Sequence, residues 1–247
     1  MPLIKAENLV KSFGPVRAVD GLSVTVNERS VWGLIGPNGA GKTTTIKMIL
    51  GLSRPDGGQV EVFDEDPWDN PGIRKRIGVI FDRPFFPPHE KALDYLKRAC
   101  RIYGVPEVRA VEVLKQVDLL DARGRPLKAL SMGMLQKFAI AHSMIQSPSL
   151  VVADEMTANL DPQTRSRVLD LVLRLSSEEK VAFLLSSHIL SELDRVCDHI
   201  LIMDHGRTWA SGNLSELSEK YRTGRARSTL EELYNVVIAP SGSGNTS

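Results

Sequence analysis

The chain has 247 residues, of which 42% are hydrophobic and 25% are charged, as in an ordinary globular protein. Its 31 basic and 30 acidic side chains leave a net charge of +1, so no overall electrostatic field draws it to nucleic acid or anionic lipid. The longest unbroken apolar run, residues 181–185, is far shorter than the roughly 20 residues that span a bilayer. No signal peptide pattern precedes the first predicted strand. We therefore expect that the chain does not cross a membrane by itself. Cys100 and Cys197 have no Cys or His at a metal-binding spacing, which predicts two reduced core thiols.

The first part of the chain predicts short strands and one helix. Apolar and polar residues alternate at period two in the first two segments, as in strands with one buried face. A short apolar run then ends in a Gly-rich turn, and a helical pattern follows it. We predict strands at residues 3–10, 18–27, 31–36, 59–63 and 77–81, and a helix at 43–52.

Residues 83–147 have a Pro-rich loop and helical patterns in place of the strand patterns before them. A Pro-rich loop, RPFFPPHE, leads into segments with apolar residues at three- and four-residue spacing, at 93–104, 108–120 and 131–142. Strand patterns return at residues 150–155, 181–188 and 199–206, with helical segments between them.

Strands that alternate with helices indicate an α/β domain with a largely parallel sheet. We expect one domain over residues 1–237, with a core of 1–82 and 148–237 and a helical insert at about 83–147. The strands near the N-terminus form a β lobe, expected to be antiparallel. The Ser/Gly-rich tail, 238–247, is expected to be disordered.

The stretch GPNGAGKT, residues 36–43, matches the G-x-x-x-x-G-K-[ST] pattern of a phosphate-binding loop between a strand and a helix. The glycines allow backbone N–H groups to turn toward a phosphate. Lys42 is expected to reach the β- and γ-phosphates of a nucleotide, and the Thr43 hydroxyl to bind Mg²⁺. The alternative is a Gly-rich turn with an incidental lysine. The predicted nucleotide-binding residues of this segment are Gly36, Pro37, Asn38, Gly39, Ala40, Gly41, Lys42, Thr43 and Thr44.

The run LVVADE supplies the acids that such a site needs. Its apolar strand ends in Asp154, which is expected to hold the Mg²⁺ shell. Glu155 follows and is placed to polarise an attacking water as a general base, an effect of about 10²–10⁴-fold on rate. An acidic pair at a strand end is a weak signal alone and a strong one after a phosphate-binding loop.

Five motifs in a fixed order carry a resemblance. They are GPNGAGKT, then LSMGM, LVVADE, ANLD at residues 158–161, and SSH ending in His188. In this order they resemble the nucleotide-binding subunit of an ABC transporter, of the prokaryotic export type, over residues 1 to about 235. The resemblance implies a P-loop NTPase fold, ATP and Mg²⁺ as cofactors, and ATP hydrolysis coupled to transport.

The resemblance also implies a head-to-tail pair of cassettes, most simply a homodimer. The helix that starts at the signature segment, Ser131, Met132, Gly133 and Met134, then caps the γ-phosphate of the ATP on the partner's P-loop. A helix N-terminus suits this role because it offers N–H donors and about half a positive charge.

Three further positions match the family one at a time. Phe13 corresponds to an aromatic residue that stacks on adenine, with a place in the core of the β lobe as the alternative. Asp161 corresponds to the loop that couples the two sites across the dimer. His188 corresponds to the histidine that contacts the γ-phosphate and holds Glu155 and the water, with a structural histidine as the alternative.

The chain departs from the family pattern at two functional positions. Met132 replaces a glycine of the common LSGGQ, and its Cβ removes the freedom to take a positive φ. Asp82 stands where a Gln usually touches Mg²⁺ and the water. It is expected to act on the metal side of the catalytic site, and the alternative is a loop carboxylate paired with Arg83. Phe85 and Phe86 are expected either to contact a membrane subunit or to pack inward.

The preferred function is the ATP-hydrolysing subunit of an exporter, cytoplasmic and peripheral on the inner face of the membrane, with a separate transmembrane permease as partner. The alternative is a soluble ABC-type ATPase that acts on a protein or nucleic-acid assembly. A nucleic-acid partner is not expected, since the basic cluster at residues 220–227 is more simply explained as a solvated surface.

Overall fold

The computed structural model describes residues 1–221 and 229–238, which form two sheets, eight α-helices and three short 3₁₀ helices. The strands are β1 (Pro2–Phe13), β2 (Val16–Asn27), β3 (Val31–Ile35), β4 (Gly57–Val62), β5 (Ile77–Ile80), β6 (Leu150–Asp154), β7 (Ala182–Ser187), β8 (His199–Asp204) and β9 (Arg207–Asn213). The helices are α1 (Lys42–Ile49), α2 (Ala92–Tyr103), α3 (Val108–Gln116), α4 (Met132–Ser143), α5 (Pro162–Glu178), α6 (Leu190–Val196), α7 (Leu214–Lys220) and α8 (Leu230–Ile238).

The larger sheet has six strands in the order β5-β6-β7-β3-β8-β9. Every neighbouring pair is parallel except β8 and β9, which are antiparallel. Strands β3 and β7 are buried along their whole length, as expected for parallel strands covered on both faces. The predicted α/β class with a largely parallel sheet is confirmed. The edge strand β9 was not predicted, because its mixture of charged, small and aromatic residues has no clear apolar alternation.

The smaller sheet is the antiparallel lobe expected near the N-terminus, with the order β2-β1-β4. A tight turn joins β1 to β2, and Gly14 takes φ +56° there, a conformation that glycine adopts without a Cβ penalty. The lobe packs its apolar side chains with α1 and with one face of the large sheet, including Trp32 and Leu34 of β3. The other face of β3, including Val31 and Ile35, packs in a second core with helices α2 to α8.

Helices α2, α3 and α4 lie between β5 and β6, where the sequence indicates a helical insert at about 83–147. Their buried residues belong to the same core as β6 and β7, which joins this helical part to the sheet. Ile238 is the last residue of α8, so the tail expected from residue 238 begins one residue inside a helix. The remainder of that tail and most of the basic cluster at 220–227 lie outside the described residues.

Both cysteines are buried and free, which agrees with the predicted core thiols, and burial raises the pKa of each thiol. Within residues 1–221 and 229–238, no helix is long and apolar enough to cross a membrane.

The topology brings the predicted site residues together. Strands β6, β7 and β3 are adjacent and parallel, so their carboxyl ends meet at one edge of the sheet. Asp154 pairs in register with Ser186, and Ile35 with Ser187. The phosphate-binding loop, the acidic pair and His188 each follow one of these ends, the position where open α/β sheets bind ligands.

Candidate nucleotide site

The loop between β3 and α1 is shaped by glycines that approach other backbone segments closely. A Cβ on Gly36 would lie 2.3 Å from the carbonyl oxygen of Met203. Gly41 has φ +102°, and a Cβ there would lie 2.3 Å from the carbonyl oxygen of Ala18. No other residue fits these two positions without moving the backbone. The other predicted loop members are exposed at Pro37, Asn38, Gly39 and Thr43, half-buried at Thr44 and buried at Ala40.

Lys42 is the first residue of α1, and its side chain folds back over the loop. Its Nζ donates to the carbonyl oxygens of Gly36 at 2.6 Å and Pro37 at 3.2 Å. The ammonium group also lies 3.6 Å from Oε1 of Glu155, and Lys42 is only 6% exposed. A buried cation at the mouth of a loop of backbone N–H groups fits an anion such as a phosphate.

Thr43 and Asp154 form the part of the site that suits a magnesium ion. The Thr43 hydroxyl donates to Oδ2 of Asp154 at 2.9 Å, and Ser186 Oγ donates to the other carboxylate oxygen. In the described part of the chain, no three His, Cys, Asp or Glu side chains form a metal-binding cluster. A hydroxyl and one carboxylate match the usual Mg²⁺ arrangement, in which nucleotide phosphates and water supply the other ligands.

Glu155 is held in an unusual backbone conformation at the end of β6. Its φ is +51°, in the left-handed region that a residue with a Cβ seldom adopts. Its N–H donates to Ser186 Oγ at 3.0 Å, with Ser186 O at 3.2 Å. Its Oε2 lies 2.8 Å from Nδ1 of His188. Strained backbone of this kind concentrates at functional sites, and here it directs the carboxylate toward Lys42 and His188.

Ser186 is a site residue that the sequence reasoning missed. Its side chain contacts both acids, donating to Asp154 and accepting from the backbone of Glu155. In the motif SSH, the resemblance points to His188 and not to the serines before it. Two hydroxyl residues at the end of an otherwise apolar strand were the available signal, because side chains at that end face the neighbouring strand ends.

Asp82 lies at the rim of the site. It lines a cavity of about 390 Å³ together with Thr43, Asp154 and Glu155. Its side chain is 55% exposed, and its Oδ2 lies 3.9 Å from Nε of Arg83. Asp82 therefore shares a cavity with Thr43 and Asp154 and also lies near Arg83.

Phe13 ends β1 and is 54% exposed, so it does not belong to the core of the antiparallel lobe. Lys11 Nζ lies 5.7 Å from the centre of its ring. An exposed aromatic face at this position suits stacking on a base.

The signature segment forms the start of α4. Ser131 is the N-cap, and its hydroxyl accepts from the N–H of Met134 at 3.3 Å. Met132 is the first helical residue and is not among the residues with positive φ, so its Cβ causes no backbone strain. Ser131 and Met132 are exposed, whereas Gly133 and Met134 are half-buried.

Thr164 on α5 connects the signature segment to Asp161. A Cβ on Gly133 would lie 2.4 Å from Cγ2 of Thr164, so a larger residue would have to displace the Thr164 side chain. Asp161 is the N-cap of α5 and accepts from the N–H of Thr164 at 3.0 Å. Hydrogen bonds from the side chain and backbone of Thr164 lower the pKa of Asp161, which favours the charged carboxylate at the helix N-terminus.

The two phenylalanines of the Pro-rich loop have different environments. Phe85 is 91% exposed. Phe86 packs edge to face against Tyr95 and Phe138, with ring centres 5.2 Å and 5.0 Å away, and its ring centre lies 5.9 Å from that of His142. Phe85 is therefore accessible to a partner protein, whereas Phe86 packs inward.

Comparisons with known proteins agree with this architecture. The ABC transporter family matches residues 19–158, more than half of the chain. The chain is 37% identical to the bacitracin transport ATP-binding protein BcrA of Bacillus licheniformis, over 83% of this chain and 68% of that protein. It is also 37% identical to the daunorubicin/doxorubicin resistance ATP-binding protein DrrA of Streptomyces peucetius, over 93% and 71%. A solved ATP-binding subunit of an ABC transporter aligns with a TM-score of 0.83 and 27% identity, over 96% of this chain and 99% of that one.

The fold and these matches define an ATP-binding cassette. The chain belongs to the ABC transporter family as an ATP-binding ATPase subunit, and the resemblance inferred from its five motifs is confirmed.

Proposed function

We propose that the chain binds Mg-ATP on its phosphate-binding loop and hydrolyses it to drive a separate membrane-spanning subunit. The observation that carries this proposal is the position of the Glu155 carboxylate, 2.8 Å from Nδ1 of His188 and 3.6 Å from Nζ of Lys42. A general base thus lies beside a phosphate-binding cation. When bound, Mg²⁺ would neutralise charge on the phosphate oxygens.

Each residue of the site has a distinct task in this proposal. Lys42 neutralises phosphate charge, and Thr43 with Asp154 holds the metal. Glu155 accepts a proton from the attacking water at a carboxylate oxygen. His188 orients that carboxylate through Nδ1, which leaves its Nε2 available to the γ-phosphate. Phe13 supplies the surface on which the adenine stacks.

The purified chain is expected to release phosphate from ATP in the presence of Mg²⁺ and to stop when EDTA removes the metal. This assay tests the ATPase part of the proposal directly. Equal phosphate release with and without Mg²⁺, or none in either condition, would contradict it.

Changing Asp82 to Asn is expected to raise the Mg²⁺ concentration for half-maximal hydrolysis by about threefold to tenfold, because an amide is a weaker magnesium ligand than a carboxylate. Asp82 shares a cavity with Thr43 and Asp154, which supports a metal-side role. A magnesium titration of phosphate release measures the change, with Asp69→Asn on the exposed surface as the control. An unchanged titration curve would assign Asp82 to its contact with Arg83 alone.

We further propose that two copies of the chain bind each other's nucleotides, forming a homodimer. The segment of Ser131, Met132, Gly133 and Met134 begins a helix of 12 residues, and its first turn is accessible at Ser131 and Met132. The N–H groups of that turn then cap the γ-phosphate on the partner chain. Asp161 lies beside the same surface through Thr164 and couples the two sites.

Export across a membrane is the favoured process. The two relatives described above are named for bacitracin transport and for daunorubicin/doxorubicin resistance, which supports a transporter rather than an ATPase that remodels a soluble assembly. The chain would then be cytoplasmic and bound to the inner face of the membrane through a permease. In this proposal residues 1–82 and 148–237 form the catalytic core, and about 83–147 the helical part that meets the permease.

Phe85 and Phe86 are expected to respond differently to replacement by serine. Phe85→Ser should reduce the amount of chain recovered with membranes several-fold while leaving its melting temperature unchanged, because the ring is 91% exposed. Phe86→Ser should destabilise the fold by roughly 2 kcal/mol through lost aromatic packing. Membrane fractionation of cells and thermal melts of the purified variants give the two readouts. Wild-type membrane recovery for Phe85→Ser would exclude Phe85 as a contact.

A further inference from the structure

A buried polar network lies next to the proposed catalytic pair, Glu155 and His188, and nucleotide binding does not explain it. The Thr157 hydroxyl donates to Oε2 of Glu192 at 2.6 Å. The other carboxylate oxygen of Glu192 lies 3.3 Å from Nη1 of Arg165. Thr157 is 3% exposed and Glu192 is 8% exposed, so this contact is shielded from water.

The network joins the two segments that carry the catalytic pair. Thr157 lies two residues after Glu155, in the turn between β6 and α5. Glu192 lies in α6, which begins two residues after His188. Arg165 reaches the same turn again, because its Nε donates to the carbonyl oxygen of Leu160 at 2.7 Å. The turn that follows Glu155 is therefore connected by a hydrogen bond to the helix that follows His188.

The energetics of burial make this connection rigid. A buried carboxylate is costly unless it is paired and hydrogen-bonded. Among the described residues Oε1 of Glu192 accepts no hydrogen bond, so moving the turn away from α6 would remove the Thr157 hydrogen bond and leave Glu192 with its ion pair to Arg165 alone. Glu155 itself has φ +51°, a conformation that persists only when its surroundings enforce it. Ser186 restrains the N–H of Glu155, and the network restrains the chain just after it.

From this geometry we propose that Thr157, Glu192 and Arg165 are positioning residues for hydrolysis. They hold the turn and the helix in one arrangement, so that the Glu155 carboxylate stays against His188. The inference rests on the proposed ATPase function, because it concerns the rate of that reaction. It assigns the three residues no contact with the nucleotide.

Thr157→Val tests the inference with little change in side-chain volume, because it removes the hydroxyl donor. We expect kcat for ATP hydrolysis to fall roughly tenfold to a hundredfold and KM for ATP to change by less than about twofold, since a small misplacement of a catalytic group affects chemistry and not uniform binding. Thr157→Ser keeps the hydroxyl and should restore most of kcat.

Hydrogen exchange supplies a readout that does not depend on activity. In Thr157→Val, backbone amides of residues 155–161 should exchange about tenfold faster, while amides of the phosphate-binding loop keep their wild-type rates. Ser30→Ala is the matched control. Ser30 is 4% exposed and donates to Asn27 O at 2.6 Å, and it precedes β3 at the end of that strand away from the site.

The outcomes separate the inference from the function on which it rests. A fall in kcat with steady KM, rescue by serine and faster exchange at 155–161 would support it. Wild-type kcat, or unchanged exchange, in folded Thr157→Val would overturn it. If Thr157→Val does not fold, Glu192→Gln decides in the same way, because it keeps an acceptor for Thr157 and removes the charge that faces Arg165. A wild-type chain without hydrolysis would contradict the proposed function, and the exchange comparison would still decide whether the network restrains the turn after Glu155.

Discussion

Replacing Glu155 by glutamine is expected to lower the rate of ATP hydrolysis by about 10²–10⁴-fold, the usual contribution of a general base. The amide has the same shape as the carboxylate and still accepts a hydrogen bond at its oxygen, so the contact with His188 Nδ1 at 2.8 Å is retained. It cannot take a proton from water. Binding should survive, because Lys42 and the phosphate-binding loop are unchanged.

Two measurements on Glu155→Gln are decisive. Single-turnover phosphate release gives the loss of rate, and Glu178→Gln at the exposed end of α5 serves as the control. Mass in solution, with and without Mg-ATP, then reports assembly, since the unhydrolysed nucleotide should trap two chains together. Hydrolysis within tenfold of wild type would remove Glu155 as the base. A variant that binds ATP and remains monomeric would overturn the homodimer.

Replacing Lys42 by alanine is expected to weaken ATP binding about 100-fold, which corresponds to about 3 kcal/mol for a charge-assisted hydrogen bond to phosphate. The loss has two sources. The cation that faces the phosphates disappears, and the Glu155 carboxylate, 3.6 Å from Nζ, loses its positive neighbour and repels the nucleotide.

Calorimetric titration with Mg-ATP measures the loss in Lys42→Ala. Lys75→Ala, an exposed lysine in the turn before β5, removes the same charge elsewhere and should bind ATP as the wild type does. Wild-type affinity in Lys42→Ala would show that the backbone of the loop suffices and that the lysine is incidental.

The parts of this protein that the sequence predicted well are those with local signals. The glycine pattern around Lys42 predicts a loop in which some positions have no room for a side chain. Gly36 and Gly41 are such positions, since a Cβ at either one would lie 2.3 Å from a backbone carbonyl oxygen. Strands β3 and β6 are short apolar runs, the first ending at a Gly-rich turn and the second in Asp154. Their boundaries and the edge at which they meet followed from periodicity and parallel topology.

The remainder depends on contacts between distant residues. The sequence could not assign different roles to Phe85 and Phe86, because neighbours in a loop have the same local pattern and only Phe86 meets Tyr95 and Phe138. Thr157 and Glu192 are 35 residues apart and form a buried pair that no spacing rule connects. The sequence predicted the helix start at the signature segment but could not show whether position 132 needs a positive φ, and in the structure Met132 does not take one.

The contact between Gly133 and Thr164 has a genetic consequence. Thr164 fills the space that a Cβ at position 133 would need, and it also donates to Asp161. In the proposed homodimer, the helix start at Gly133 serves the nucleotide of the opposite chain. A substitution at this position therefore leaves the altered chain's own phosphate-binding loop intact and damages the site of a normal partner. In a cell that expresses both forms of the gene, a mixed dimer would therefore contain one damaged site and one intact site.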